Sequence, residues 1–122
     1  MVDVAKLHSL VIPVSDLSAA GPWYGRFLSV ANMERGSGFT VITLPAGCNI
    51  CLLEVHGYRA SDALGPYPVL AVPNAAAMHD ALAQAGVPVS APEASGPHFS
   101  FAFWDPDGNR IEAAQFGIPG VS

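Results

Sequence analysis

The chain has 122 residues, 51% of them hydrophobic and 12% charged, enough for one domain with a real core and too apolar for wholesale disorder. No apolar run approaches the roughly 20 residues of a bilayer-crossing helix. The amino terminus, MVDVAKLHSL, lacks the basic-then-apolar layout of a signal peptide, so a cytoplasmic protein with no membrane partner is expected. A net charge of −5 with five scattered Lys and Arg residues excludes a nucleic acid held through its phosphates.

In chain order, LHSLVIPV (7–14) has the branched apolar content of a strand. Ser15 or Asp16 can begin a helix, but Gly21–Pro22 pushes its regular part toward 22–29, with Pro22 in the first turn. GFTVITLP (38–45) and CNICLLEV (48–55) form a hairpin across a short Pro/Gly turn. Cys48 and Cys51 spell CxxC, yet residues three apart on a strand point to opposite faces, and no second pair completes a zinc knuckle. Both are expected to be small buried hydrophobes. HGYRASDALGPYP (56–68) is turn-rich and holds a linker, taken as 57–66, between modules of about 5–56 and 67–117.

The element order then repeats. PVLAVP (68–73) is a strand, and Asn74 is an N-cap for AAAMHDALAQA, with Gly86 as its stop. VPVS is a short strand and APEASGP a loop. HFSFAFW and NRIEAAQF are strands joined by DPDG, a strong turn signal because Pro sets φ and Gly accepts positive φ. VIPVSDLSAA begins at Val11 and VLAVPNAAAM at Val69, an offset of 69 − 11 = 58. The same offset carries Glu54 onto Glu112. The expected fold is α+β, two βαβββ modules, each with a glutamate on its last strand.

HSLVIPVSDL opening the first module, LLEV closing it and DPDGNRIEAA closing the second resemble the vicinal oxygen chelate superfamily, which includes glyoxalase I, extradiol dioxygenases and bleomycin-resistance binding proteins. The resemblance covers essentially the whole chain. It implies a U-shaped sheet around one cup, a homodimer, and up to four ligands to a divalent metal. These correspond to His8, Glu54 and Glu112, while the fourth position, 8 + 58 = 66, is Pro66, which cannot ligate. The resemblance also places cup-facing residues at even steps before Glu112, selecting His98 and Ser100 as substrate contacts; Tyr67, beside Pro66, is expected at the rim.

One His and two carboxylates form an oxygen-rich set suited to Ni, Co, Mn or Zn. Such an ion polarises substrate oxygens, with Glu54 or Glu112 moving a proton. The favoured expectation is therefore a metal-dependent lyase or isomerase of glyoxalase type acting on a small oxygen-bearing substrate. The alternative is a metal-free protein that sequesters a drug, for which the acidic balance favours a cationic ligand. A fosfomycin-modifying transferase ranks lower, because none of Lys6, Arg26, Arg35, Arg59 and Arg110 is evidently in the cup. His56 opens the turn-rich stretch 56–68, and His79 is expected on an exposed helical face. Trp23, Tyr24, Phe39, Phe101, Phe103 and Trp104 are expected in the core or at an interface.

Overall fold

A computed structural model describes residues 2–61 and 65–117. The chain divides into two compact units, one ending at Arg59 and the other beginning at Ala60; part of the expected linker, 62–64, lies outside the described residues. The first unit holds β1 (Ser9–Val14), α1 (Leu17–Phe27), β2 (Asn32–Arg35), β3 (Phe39–Thr43) and β4 (Asn49–Glu54). The second holds β5 (Val69–Ala71), α2 (Ala75–Gln84), β6 (Glu93–Ser95), β7 (His98–Trp104) and β8 (Arg110–Gln115). Each is a βαβββ module with a four-stranded mixed sheet, β1-β4-β3-β2 in one and β5-β8-β7-β6 in the other. This is the α+β class expected. Among the described residues no helix is long and apolar enough to cross a membrane.

Alternation along the strands gives each sheet one face toward its helix. In the first unit Ile12, Val14, Ile42, Ile50 and Leu52 are buried on the side of α1, which packs on β3 and β4 and contributes Tyr24, fully buried. In the second, Phe101, Phe103, Ile111 and Ala113 fill the same role beneath α2, which packs on β7 and β8. Burying a side chain of that size stabilises by roughly 1.5–3 kcal/mol, so these two clusters dominate the energetics of the modules.

Helix α1 starts earlier than the Gly21–Pro22 pair suggests. Asp16 is its N-cap, accepting at Oδ1 from Ser18 N (2.9 Å) and Ser18 Oγ (2.6 Å), and Pro22 lies inside the helix. The proline removes one mid-helix donor, and a firmly capped first turn keeps the helix going through it. Helix α2 follows expectation: Asn74 Oδ1 accepts from Ala77 N at 3.0 Å, and Gly86, at φ +83°, takes the left-handed conformation that ends helices.

Three assignments differ from the sequence reading. Strand β2, NMER, carries no apolar alternation; it pairs antiparallel with β3, and Met33 is its one half-buried side chain. Strand β6 forms from Glu93–Ser95 inside the expected loop, whereas VPVS contributes only a single bridge, Val89 to Phe103. Cys48 is exposed and sits ahead of β4, and only Cys51 is half-buried.

The DPDGN turn between β7 and β8 is closed by its own first residue. The buried carboxylate of Asp105 accepts from Asp107 N (3.0 Å) and Asn109 N (2.8 Å) through Oδ1 and from Asn109 Nδ2 (2.8 Å) through Oδ2. Gly108 supplies φ +84°. Asp105→Ala leaves those donors without their acceptor and should lower the unfolding free energy by about 3 kcal/mol, read from the midpoint of chemical denaturation.

The two hydrogen bonds from Ser18 hold the Asp16 carboxyl below its usual pKa of 3.8. A depressed carboxyl stabilises the fold above its unfolded-state pKa, and that contribution is lost as pH falls through the lower folded value. Wild type should therefore lose stability below about pH 3.8 through this group, and Asp16→Asn should flatten that part of the acid-unfolding curve.

Candidate small-molecule site

The pairing registers decide which face each expected site residue occupies. Val11 pairs with Cys51 in the first sheet, and its counterpart Val69 pairs with Glu112 in the second. The counterpart of Glu112 is thus Cys51, and the last strands are related by 112 − 51 = 61 positions rather than 58. Helix capping gives the same answer. Glu54 Oε2 accepts from Leu17 N at 2.9 Å across 37 residues, and Gln115 Oε1 accepts from Ala75 N at 3.0 Å across 40. Leu17 and Ala75 are each the first residue of their helix. Glu54 corresponds to Gln115, and the match of Glu54 with Glu112 in the sequence repeat is a coincidence of composition.

Glu54 shares the parity of Ile50 and Leu52, on the side of β4 that faces α1. There its carboxylate complements the partial positive charge of the helix amino terminus. His8 precedes β1, is exposed, and is held through its backbone oxygen by Asn49 Nδ2 at 3.1 Å. Pro66 is exposed ahead of β5. Among the described residues no three His, Cys, Asp or Glu side chains come together as a metal would require.

Glu112 is differently placed. It lies on the face of the second sheet opposite α2, level with Ala102 on β7 and Val69 on β5. Alternation puts Ser100 and His98 on that face as well, opposite Ala114 and beyond it. The imidazole of His98 is engaged at the end of the chain's described part, Nδ1 accepting from Gly117 N at 3.1 Å with its ring near Phe116. His79 is not exposed as expected: its side chain is 19% accessible and meets Phe101 edge to face at 5.2 Å.

The residue that the sequence reading set aside is Arg110. It shares the parity of Glu112, and its Nη2 lies 3.5 Å from Glu112 Oε2. Its guanidinium carbon stands 4.7 Å from the ring centre of Tyr67 and 5.9 Å from that of Trp104. Trp104 therefore belongs to this face rather than to the core. Arg110 follows directly on the DPDGN turn, two residues before Glu112, so a period of two was the signal available for it. The result is a carboxylate, a guanidinium and two half-buried aromatic rings on one sheet face, with Ser100 and His98 along the adjoining strand. A cation already beside Glu112 opposes a second, divalent one, because like charges at this range repel. With Glu54 committed to α1, the donor set does not fit a bound metal.

No protein-family model matches the chain, and no curated protein matches it. Solved structures do. A glyoxylase/bleomycin resistance protein/dioxygenase domain from Frankia sp. EAN1pec is 23% identical, with TM-score 0.73 over 93% of this chain and 98% of its own. TnmS3, an antibiotic binding protein from Streptomyces sp. CB03234, is 20% identical, with TM-score 0.72 over 94% and 98%. The trypanothione-dependent glyoxalase I of Leishmania major is 17% identical, with TM-score 0.68 over 92% and 87%. The chain has the fold of the vicinal oxygen chelate superfamily.

Glu54→Gln reproduces in α1 the amide cap that Gln115 gives α2, and should change stability by less than about 0.5 kcal/mol, whereas Glu54→Ala should cost about 1 kcal/mol. Thermal and denaturant unfolding of the two variants make the comparison. Equal losses in both would mean that charge, not capping, is what Glu54 supplies.

Proposed function

We propose that this chain is a metal-independent protein that binds a small aromatic molecule on the face of β7 and β8 opposite α2. Of the two readings left by the sequence, metal-assisted lyase or isomerase chemistry and sequestration, the second is supported by one observation above the rest: Arg110 occupies the space beside Glu112 and is within cation–π range of two aromatic rings. Aromatic surface supplies contact area at little entropic cost, and a few placed polar groups fix the orientation, which is the make-up of a binding site. The likeness in fold to an antibiotic binding protein is in keeping with this reading. No step of the proposal passes through a metal.

The chain's own residues have defined parts in it. Tyr67 and Trp104 provide the apolar walls, Arg110 and Glu112 the charged edge, and Ser100 a hydroxyl on the neighbouring strand. The test is intrinsic fluorescence with a panel of planar aromatic drugs, run beside unfolding scans with added Ni, Co, Mn or Zn. Saturable quenching that is lost in Trp104→Phe, together with unfolding midpoints unmoved by metal, is expected, since a ligand of the folded state alone raises apparent stability. Stoichiometric metal that disappears in Glu112→Ala would overturn the proposal, as would a panel in which no compound quenches.

A further inference from the structure

The same site carries a cation in a chain whose net charge is −5. Arg110 offers five N–H donors, and among the described residues the only acceptor bonded to them is Glu112 Oε2, at the far edge of hydrogen-bond range, 3.5 Å. Its Nε is buried with no acceptor. The side chain as a whole is 37% exposed, against 21% for Glu112, so the terminal nitrogens can be reached from solvent. The guanidinium is thus held in place mainly by the Tyr67 and Trp104 rings, and its hydrogen-bonding capacity is largely unspent.

Resting on the binding reading above, we infer that this face selects planar aromatic anions: a carboxylate or phenolate oxygen is received by the Arg110 Nη atoms while the ligand's ring lies against Tyr67 or Trp104. The net charge of −5 acts on ligands at long range and is screened within about 10 Å at 0.1 M salt. The contact itself is decided by a partly desolvated guanidinium, whose planar fork matches a carboxylate in two parallel bonds of roughly twice the strength of neutral ones. Glu112 competes for the same donors only weakly, given its distance. A cationic ligand would have to compete with Arg110 for Glu112 and would leave the guanidinium donors unused.

Three matched probes separate the possibilities by calorimetric titration: 2-naphthoate, the neutral 2-naphthamide and 2-naphthylmethylammonium. Naphthoate should bind at least about 10-fold tighter than the ammonium, the worth of one charge-assisted contact. Arg110→Gln should abolish that preference, while Arg26→Gln, at an exposed position of α1 in the first unit, should keep it. Glu112→Gln, which keeps an acceptor oxygen but removes the negative charge that opposes an anion beside Arg110, should tighten naphthoate severalfold and guards against an Arg110 variant that does not fold. Equal binding of all three probes, a preference for the ammonium, or weaker naphthoate binding in Glu112→Gln would overturn the inference and leave the binding reading intact. No binding of any probe, with drug quenching also absent, would remove both.

Discussion

The geometry of the second module depends on one carboxylate. Asp105, buried at the tip of the β7–β8 hairpin, gathers two backbone N–H groups and the Asn109 amide and so fixes the residue at which β8 begins. Register on a strand has no intermediate settings: a slip of one residue exchanges the two faces entirely. Anchored by Asp105, β8 presents Arg110, Glu112 and Ala114 on one side and Ile111 and Ala113 on the other. The second set completes the core beneath α2, so the energy of that core also keeps the first set in place. The site residues are oriented by the packing of residues that never touch them.

The first module shows how the same fold can leave the corresponding place empty of charge. Cys51 stands where Glu112 stands in the second, between Val11 and Val41 rather than between Val69 and Ala102. Around Cys51 the face of the first sheet opposite α1 carries Val11, Val41, Phe39 and Leu53, and its polar residues, Thr43, Asn49 and Glu34 among them, lie toward its ends and on the outer strand. Duplication of an architecture does not duplicate its chemistry: the place that holds a carboxylate beside a guanidinium in the second sheet holds a cysteine in the first.

Much of the fold was legible in the sequence for identifiable reasons. Asn74 and Gly86 mark the ends of α2 by capping chemistry, and DPDGN marks the hairpin by turn chemistry, both local and strong. The parity that puts Ser100, His98 and Glu112 on one face follows from the period of a strand. What escaped was nonlocal. β2 and β6 are short, polar edge strands whose only reason to be strands is the neighbour they pair with. The start of α1 was obscured because Pro22 is a conspicuous local signal, while Glu54, which helps to hold that helix end, lies 37 residues away. The three extra residues between α2 and the end of β8 shifted the repeat, so that an offset correct for the first strand and helix was wrong for the last strand. Arg110 was passed over because a lone basic residue in an acidic chain gives no sign of the rings that will flank it.

The capping groups of the two helices form a matched set. Helix α1 is held at its amino end by Asp16 and Glu54, α2 by Asn74 and Gln115. Each acid in one module has its isosteric amide in the other. One chain therefore carries two copies of a single helix–sheet junction, one closed by carboxylates and the other by neutral amides. The same four positions close backbone donors of the first helical turn with two different chemistries, so the hydrogen-bond geometry of the junction does not depend on which of the two supplies the oxygen.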